Sequence, residues 1–301
     1  MSMEYERYFS KSKKDIFGSY FPIEYYPFEK LKFPVDGIVV WDKKNGKVLY
    51  KNEIYYGLYH EGLVKGIYNT NYNSVTNLIQ DPTRYYNICV GIIDYLFSRI
   101  LLQKGIFRVH AGGISKNGTI LLICGPKGSG KTTLLMKLIQ NGYPFISDDQ
   151  TFLYFEGNRL YCIPFPKTLK INYSDIDNLP FLYNHLKYLP IITSDGTKKA
   201  IIKPELNNFP IITQKLPITQ IIIPTISKTQ LTNIKVLSGT EAFNLLIPAF
   251  RGDDLLNIDY LYNQNLLNTQ KSFCERVNSY CNTHLLSMGK DFKEINISFP
   301  F

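Results

Sequence analysis

Apolar residues come in short runs along most of the chain, and the changes in their spacing mark its organisation. Up to about residue 80 the runs are brief, rich in Tyr, and broken by Gly57, Gly62 and Gly66. Residues 35–41 and 48–50 predict two strands joined at Asn45-Gly46, since both turn residues tolerate positive φ. A small β-rich N-terminal domain is therefore expected over residues 1–80. It shows no catalytic constellation and reads as a structural or docking module. Residues 81–301 form the second domain, with the boundary near 75–85. Asp81-Pro82-Thr83 suits a helix start. The stretch 85–103, with Ile88, Ile92, Leu96 and Ile100, is apolar nearly all round and predicts a buried helix ended by Gly105.

The pattern then shifts to strands. Residues 106–110 predict one, Asn117-Gly118 a turn, and the run TILLIC at 119–124 a strand buried on both faces. Residues 131–140 predict an amphipathic helix with Leu134, Leu135, Leu138 and Ile139 on one face, closed by Asn141-Gly142. A strand follows at 144–147, then a hairpin of 151–155 and 159–163 across Glu156-Gly157-Asn158. Further on, 218–223 (stopped by Pro224) and 234–237 predict strands, and Ser238 and Glu241 have capping-box spacing before a helix at 242–246. Residues 254–286 read as largely helical and 291–301 as a final strand. The fold class is α/β.

Chemistry enters between the TILLIC strand and the helix. Gly125-Pro126-Lys127-Gly128-Ser129-Gly130-Lys131-Thr132 satisfies G-x-x-x-x-G-K-[ST] at every fixed position, with Thr133 next. Glycines let main-chain N–H groups converge on phosphate oxygens, and the helix N-terminus favours negative charge. Lys131 suits the β- and γ-phosphates and the Thr132 hydroxyl suits Mg²⁺. A strand before the loop and a helix after it make a mere glycine-rich turn the weaker reading.

Asp148-Asp149 lies 17 residues beyond Lys131, at the end of the next strand. Ligands of open α/β sheets bind at the carboxyl ends of strands. If the two strands are parallel neighbours, these carboxylates face the phosphates. One can hold Mg²⁺ and the other can accept a proton from an attacking hydroxyl. The alternative is a polar turn. His110, at the end of a preceding strand, reads either as a packed structural histidine or as part of this site.

Composition narrows the classes. A formal charge of +9 suits either a plain basic surface or anionic ligands. The densest basic cluster, Lys11-Ser12-Lys13-Lys14, reads as a solvated tail, so nucleic acid is not expected. Cys89, Cys124, Cys162, Cys274 and Cys281 form no Cys-x-x-Cys pair, and His60, His110, His185 and His284 are scattered, so zinc has little support. The N-terminus has no apolar signal core and no apolar run spans a bilayer; a cytoplasmic protein without membrane contact is expected. Leu237-Ser238-Gly239-Thr240 imitates an ABC-transporter signature poorly, and there is no Asn-Lys-x-Asp guanine reader.

The stretch RVHAGGISKNGTILLICGPKGSGKTTLLMKLIQNGYPFISDDQTFLY, residues 108–154, resembles the catalytic core of the HPr kinase/phosphorylase family. It is most similar to the diverged branch found with peptide-modification genes, including lasso-peptide kinases. The resemblance implies an HPr kinase-like P-loop domain that binds ATP and Mg²⁺. It implies Asp149 as the general base toward a serine hydroxyl, Asp148 as a metal or phosphate residue, and His110 as the histidine near the base. It also implies a homo-oligomer. Residues 160–172, LYCIPFPKTLKIN, lack the Glu-containing second signature of the HPr-phosphorylating members, and Lys127 is atypical. These departures point away from HPr itself as the acceptor. Lys170, Lys203 and Arg251 read as surface charges or as phosphate or substrate contacts.

The expected activity is ATP- and Mg²⁺-dependent transfer of a phosphoryl group to a hydroxyl, foremost Ser of a peptide or protein. A small-molecule kinase on the same core and a nucleotide-gated ATPase are the alternatives.

Overall fold

The computed structural model describes residues 38–43, 46–51, 54–59, 64–69, 74–79, 98, 101–165, 168–176, 187–192, 198–250 and 264–293. The chain divides into two compact units, Met1–Lys104 with Asp253–Gln264, and Gly105–Gly252 with Asn265–Phe301. In the first unit, β1 (Ile38–Lys43), β2 (Gly46–Lys51), β3 (Ile54–Tyr59), β4 (Val64–Asn69) and β5 (Ser74–Ile79) form an antiparallel meander in chain order. The hairpin expected around Asn45-Gly46 is β1–β2, with Lys43 opposite Gly46. Most of the helix expected over 85–103 lies outside the described residues; 101–103 are helical and Gly105 turns away at φ 73.

The second unit is a mixed α/β body on a curled sheet. Its strands run in the order β6 (Phe107–Val109), β10 (Thr151–Glu156), β11 (Arg159–Ile163), β15 (Leu216–Ile226), β8 (Thr119–Cys124), β7 (Ala111–Lys116) and β9 (Phe145–Ser147). β6 starts this path and β7 lies near its end, yet only His110 separates them in sequence, so the sheet must curl back on itself. Two hydroxyls stitch the curl: Thr151 Oγ1 donates to the Ala111 carbonyl at 2.8 Å, and Ser147 Oγ lies 2.7 Å from Thr151 Oγ1. β17 (Asn282–Met288) adds parallel to β15, and β16 (Asn233–Leu237) adds antiparallel to β17. Helices α1 (Lys131–Gln140), α2 (Gly239–Phe250) and α3 (Gln264–Tyr280) complete the frame.

The buried TILLIC strand holds the centre. Ile120, Leu121, Leu122 and Ile123 are each at most 1% exposed. Each such side chain contributes roughly 1.5–3 kcal/mol on burial, which fixes the strand that carries the glycine loop. Leu134, Leu135 and Leu138 of α1 share one buried cluster with Leu169, Ile171, Ala200 and Ile202. Those last four belong to a separate three-stranded sheet, β12 (Leu169–Asn172), β14 (Lys198–Ile202) and β13 (Tyr188–Ile192). Among the described residues no helix is long and apolar enough to cross a membrane.

Four expectations are corrected. β8 and β9 are not neighbours: β7 lies between them, antiparallel to both. They therefore still run parallel, and their carboxyl ends share one edge. Pro224 does not stop its strand, because β15 continues to Ile226. The β15–β8 ladder ends at Ile222, so Pro224 pairs on one side only, where a missing N–H is tolerated. The stretch 254–286 is not uniformly helical, since α3 ends at Tyr280 and Asn282–Met288 is a strand buried beside β15. Of the strand expected at 291–301, residues 291–293 belong to a 3₁₀ turn and the rest lie outside the described residues.

Candidate functional site

The glycine loop leaves the buried end of β8 and enters α1 within six residues. Gly125, Gly128 and Gly130 take φ of 149, 82 and 94, which L side chains rarely adopt. A Cβ on Gly125 would stand 2.8 Å from Ser129 Oγ, so that closure also requires glycine. Pro126, Lys127 and Gly128 are exposed, whereas Ser129 and Lys131 are buried. Gly130 precedes α1 in a left-handed conformation and no side chain caps the helix, whose first turn also lacks an acidic residue. Lys131 Nζ donates to the Gly125 and Pro126 carbonyls at 2.8 and 3.1 Å. Burial lowers the Lys131 pKa, while Asp149 and Asp148 pull it back up, so both carboxylates are felt at this ammonium. Thr132 and Thr133 are half-buried in the first turn of α1.

The carboxylates arrive on the same edge. Ala111 pairs with Cys124 and Gly113 with Ser147, which brings His110, Gly125 and Asp148 to the ends of adjacent strands. Gly112 makes room for them: a Cβ there would meet Leu135 Cδ2 at 3.2 Å and Asp148 Oδ1 at 3.7 Å. Asp148 is 4% exposed and its Oδ1 has no hydrogen-bond partner. Burial, then the charge of Asp149, push its carboxyl up to about 8; the main-chain N–H of Lys170 and the Lys131 ammonium oppose this. Asp149 is half exposed and takes φ 61, with the Gln150 N–H bonded to the Asp148 carbonyl at 2.7 Å. A non-glycine residue in this region marks a locally constrained turn, the kind found at ligand clamps. The turn thus leaves Asp148 buried and Asp149 half exposed.

His110 Nδ1 lies 3.1 Å from the Asp149 carbonyl and its Nε2 lies 3.9 Å from Asp149 Oδ1. A carbonyl only accepts, so Nδ1 carries the hydrogen. Burial first, then Lys131, lowers the ring's pKa below its usual 6.5. The neutral ring leaves Nε2 as a lone pair, and the contact with Asp149 becomes an ion pair only when the ring gains a second proton.

Two buried oxygens without partners, Ser129 Oγ and Asp148 Oδ1, flank an uncapped helix N-terminus and a lysine turned onto its own loop. Buried polar atoms are seldom left unpaired, and these suit a phosphate chain and a cation. The set therefore fits Mg·ATP, with Thr132 and Asp148 as the groups able to hold the metal. Among the described residues no cluster of three His, Cys, Asp or Glu could hold a metal alone, so phosphate oxygens would have to complete the coordination.

Other candidates fall elsewhere. The Lys170 side chain is exposed and only its main chain reaches Asp148. Lys203 is exposed, and its carbonyl accepts from Asn207 at 2.8 Å. Arg251, Cys89, His60 and His185 lie outside the described residues. Cys124, Cys162, Cys274 and Cys281 are buried and unpaired. His284 bonds Gln220 at 2.8 Å on the β17–β15 seam. The Lys170 main chain and the Gly112 gap were not foreseen; the paired glycines before the TILLIC strand were the available sign of the latter.

The buried Asp148 makes a test. Its proton is retained by the folded state from the ordinary carboxyl range near 4 up to about 8. The folded state then binds more protons than the unfolded, so stability falls as pH rises through that window. Asp148→Asn removes this contribution. The melting temperature of the variant should fall less between pH 5 and 8.5 than that of the wild type, and should exceed it at pH 8.5. A variant less stable at both pH values would make the carboxyl structural.

No family model matches the chain. The HPr kinase/phosphorylase of Mycoplasmopsis pulmonis (strain UAB CTIP) is 29% identical over 103 residues, 34% of this chain and 33% of that protein. The match thus spans about a third of the length of that curated relative. The HPr(Ser) kinase/phosphatase structure from Coxiella burnetii is matched over 43% of this chain and 77% of that one at 18% identity, with a TM-score of 0.25, too low to bear on the fold. Over a third of its length the chain is weakly homologous to HPr kinase/phosphorylase.

Proposed function

We propose that the protein is a kinase that transfers the γ-phosphoryl group of Mg·ATP to a hydroxyl, foremost the Ser hydroxyl of a peptide or protein. The observation that carries this reading is the meeting of a glycine loop, its buried Lys131 and the Asp148-Asp149 turn on one sheet edge, with Asp148 Oδ1 and Ser129 Oγ unpartnered. The Lys131 ammonium and the α1 N-terminus hold the phosphates, and Thr132 and Asp148 hold the metal, which neutralises phosphate charge when bound. Asp149, half exposed at the rim, takes the proton of the acceptor hydroxyl. Catalysis is then mostly positioning, which suits the constrained φ of that residue. The weak HPr kinase/phosphorylase homology supports a phosphotransferase. The division into a residue 1–80 module and a kinase domain from residue 81, a cytoplasmic site of action, and homo-oligomerisation are parts of the same proposal.

The test is incubation with γ-labelled ATP, Mg²⁺ and Ser-containing peptides, among them any precursor peptide encoded beside the gene. Label on a serine is expected, and its loss on Ser→Ala in the peptide fixes the acceptor. Label released only as free phosphate would replace the kinase with an ATPase.

A further inference from the structure

The sheet order sets the direction in which a nucleotide must lie. Asp148, Asp149 and His110 stand on the β7–β9 side of β8, while β15 and β17 stand on the other. The reacting phosphoryl group has to face the carboxylates. With the phosphates held on the loop between the two sides, the nucleoside must run over the carboxyl ends of β15 and β17.

An apolar surface stands there. Ile226, the last residue of β15, is 71% exposed, and Leu231 in the following loop is 72% exposed. The terminal methyl of Met288, at the end of β17, fills the space a Cβ on Gly130 would need, and Ile226 Cγ1 lies 3.5 Å from the same point. The surface therefore abuts the phosphate loop directly. Its backbone is braced rather than loose. Ser227 N–H donates to the Met288 carbonyl at 2.9 Å, and Lys290 and Asp291 N–H donate to the Thr229 and Gln230 carbonyls at 3.1 Å. Asp291 Oδ1 accepts from both Thr232 N–H (2.8 Å) and Thr232 Oγ1 (2.7 Å). Two exposed aliphatic side chains on a braced backbone beside the phosphate loop offer an apolar surface that a group of the same ligand can cover.

We infer that Ile226 and Leu231, backed by the buried Met288, form the platform for the nucleobase and ribose of the bound nucleoside triphosphate. This rests on the phosphate-site reading above. The occupant is the nucleoside of the same molecule as the phosphates, because Ile226 Cγ1 comes within 3.5 Å of the point where a Cβ on Gly130 of the phosphate loop would stand.

Calorimetry with Mg·ATP and with Mg·tripolyphosphate, which lacks the nucleoside, separates the two readings. The wild type should bind ATP more tightly than tripolyphosphate. The double variant Ile226→Ser, Leu231→Ser changes only exposed side chains. It should weaken ATP by about 10-fold or more and leave tripolyphosphate unchanged, in line with the discrimination one or two aliphatic contacts provide. ATP binding unaltered by the substitutions would overturn the platform alone, as would a wild type that binds both ligands equally. A wild type that binds neither would overturn the phosphate site, and the platform with it. Equal weakening of both ligands would show that the substitutions act on the loop, and that also overturns the platform.

Discussion

Lys131→Ala should lower phosphoryl transfer by about 10³-fold, the upper range for removing one preorganised donor from a developing negative charge. The structure explains why the loss should be large and clean. Lys131 is 7% exposed, and its ammonium rests on two carbonyls of its own loop. A bound phosphate would replace those carbonyls as partner, so little movement precedes binding. Alanine is the best helix former, and Lys131 opens α1, so the helix should not suffer. A melting temperature near that of the wild type, with weakened Mg·ATP binding and turnover down by about 10³-fold, is the expected result. Wild-type turnover in the variant would sink the phosphate assignment of the loop.

How far the site was legible follows from what each residue does locally. The glycine loop announces itself because positive φ at Gly125, Gly128 and Gly130 demands glycine at fixed spacing. Asp148-Asp149 was legible because two carboxylates after an apolar strand have no packing reason to be there. β7 was missed because Gly112 and Gly113 break the alternation of a strand, yet Gly112 is small so that Leu135 and Asp148 can approach. That strand supplies the missing step in the topology: it separates β8 from β9 and turns His110 toward Asp149. β17 was misread since its sequence, NTHLLSM, follows a helical stretch without a proline or glycine to mark the change. Its pairing to β15 is a tertiary effect, and so is the apolar surface at Ile226 and Leu231, whose side chains look ordinary until the strand ends are brought together.

Asp149→Asn is the sharper experiment, because nearly everything about the turn should survive it. Asn is tolerated at φ near 61 as well as Asp, so the backbone need not move. His110 Nδ1 bonds the main-chain carbonyl of this residue, which the substitution leaves in place. What disappears is the negative charge of the carboxylate and, with it, the acceptance of a proton. Mg·ATP affinity should therefore stay within a few-fold while transfer to the acceptor falls by roughly 10²–10⁴-fold, the usual worth of a positioned base. Calorimetry and single-turnover transfer measure the two separately. Loss of binding together with transfer would make Asp149 a metal or phosphate residue. The pH profile adds an independent reading. When His110 takes its second proton, below its usual value of 6.5, the imidazolium 3.9 Å from Asp149 Oδ1 pairs with that carboxylate and withholds it from the acceptor. Wild-type transfer should fall on that acid limb, and the residual activity of Asp149→Asn should not, since an amide has no charge for the imidazolium to hold.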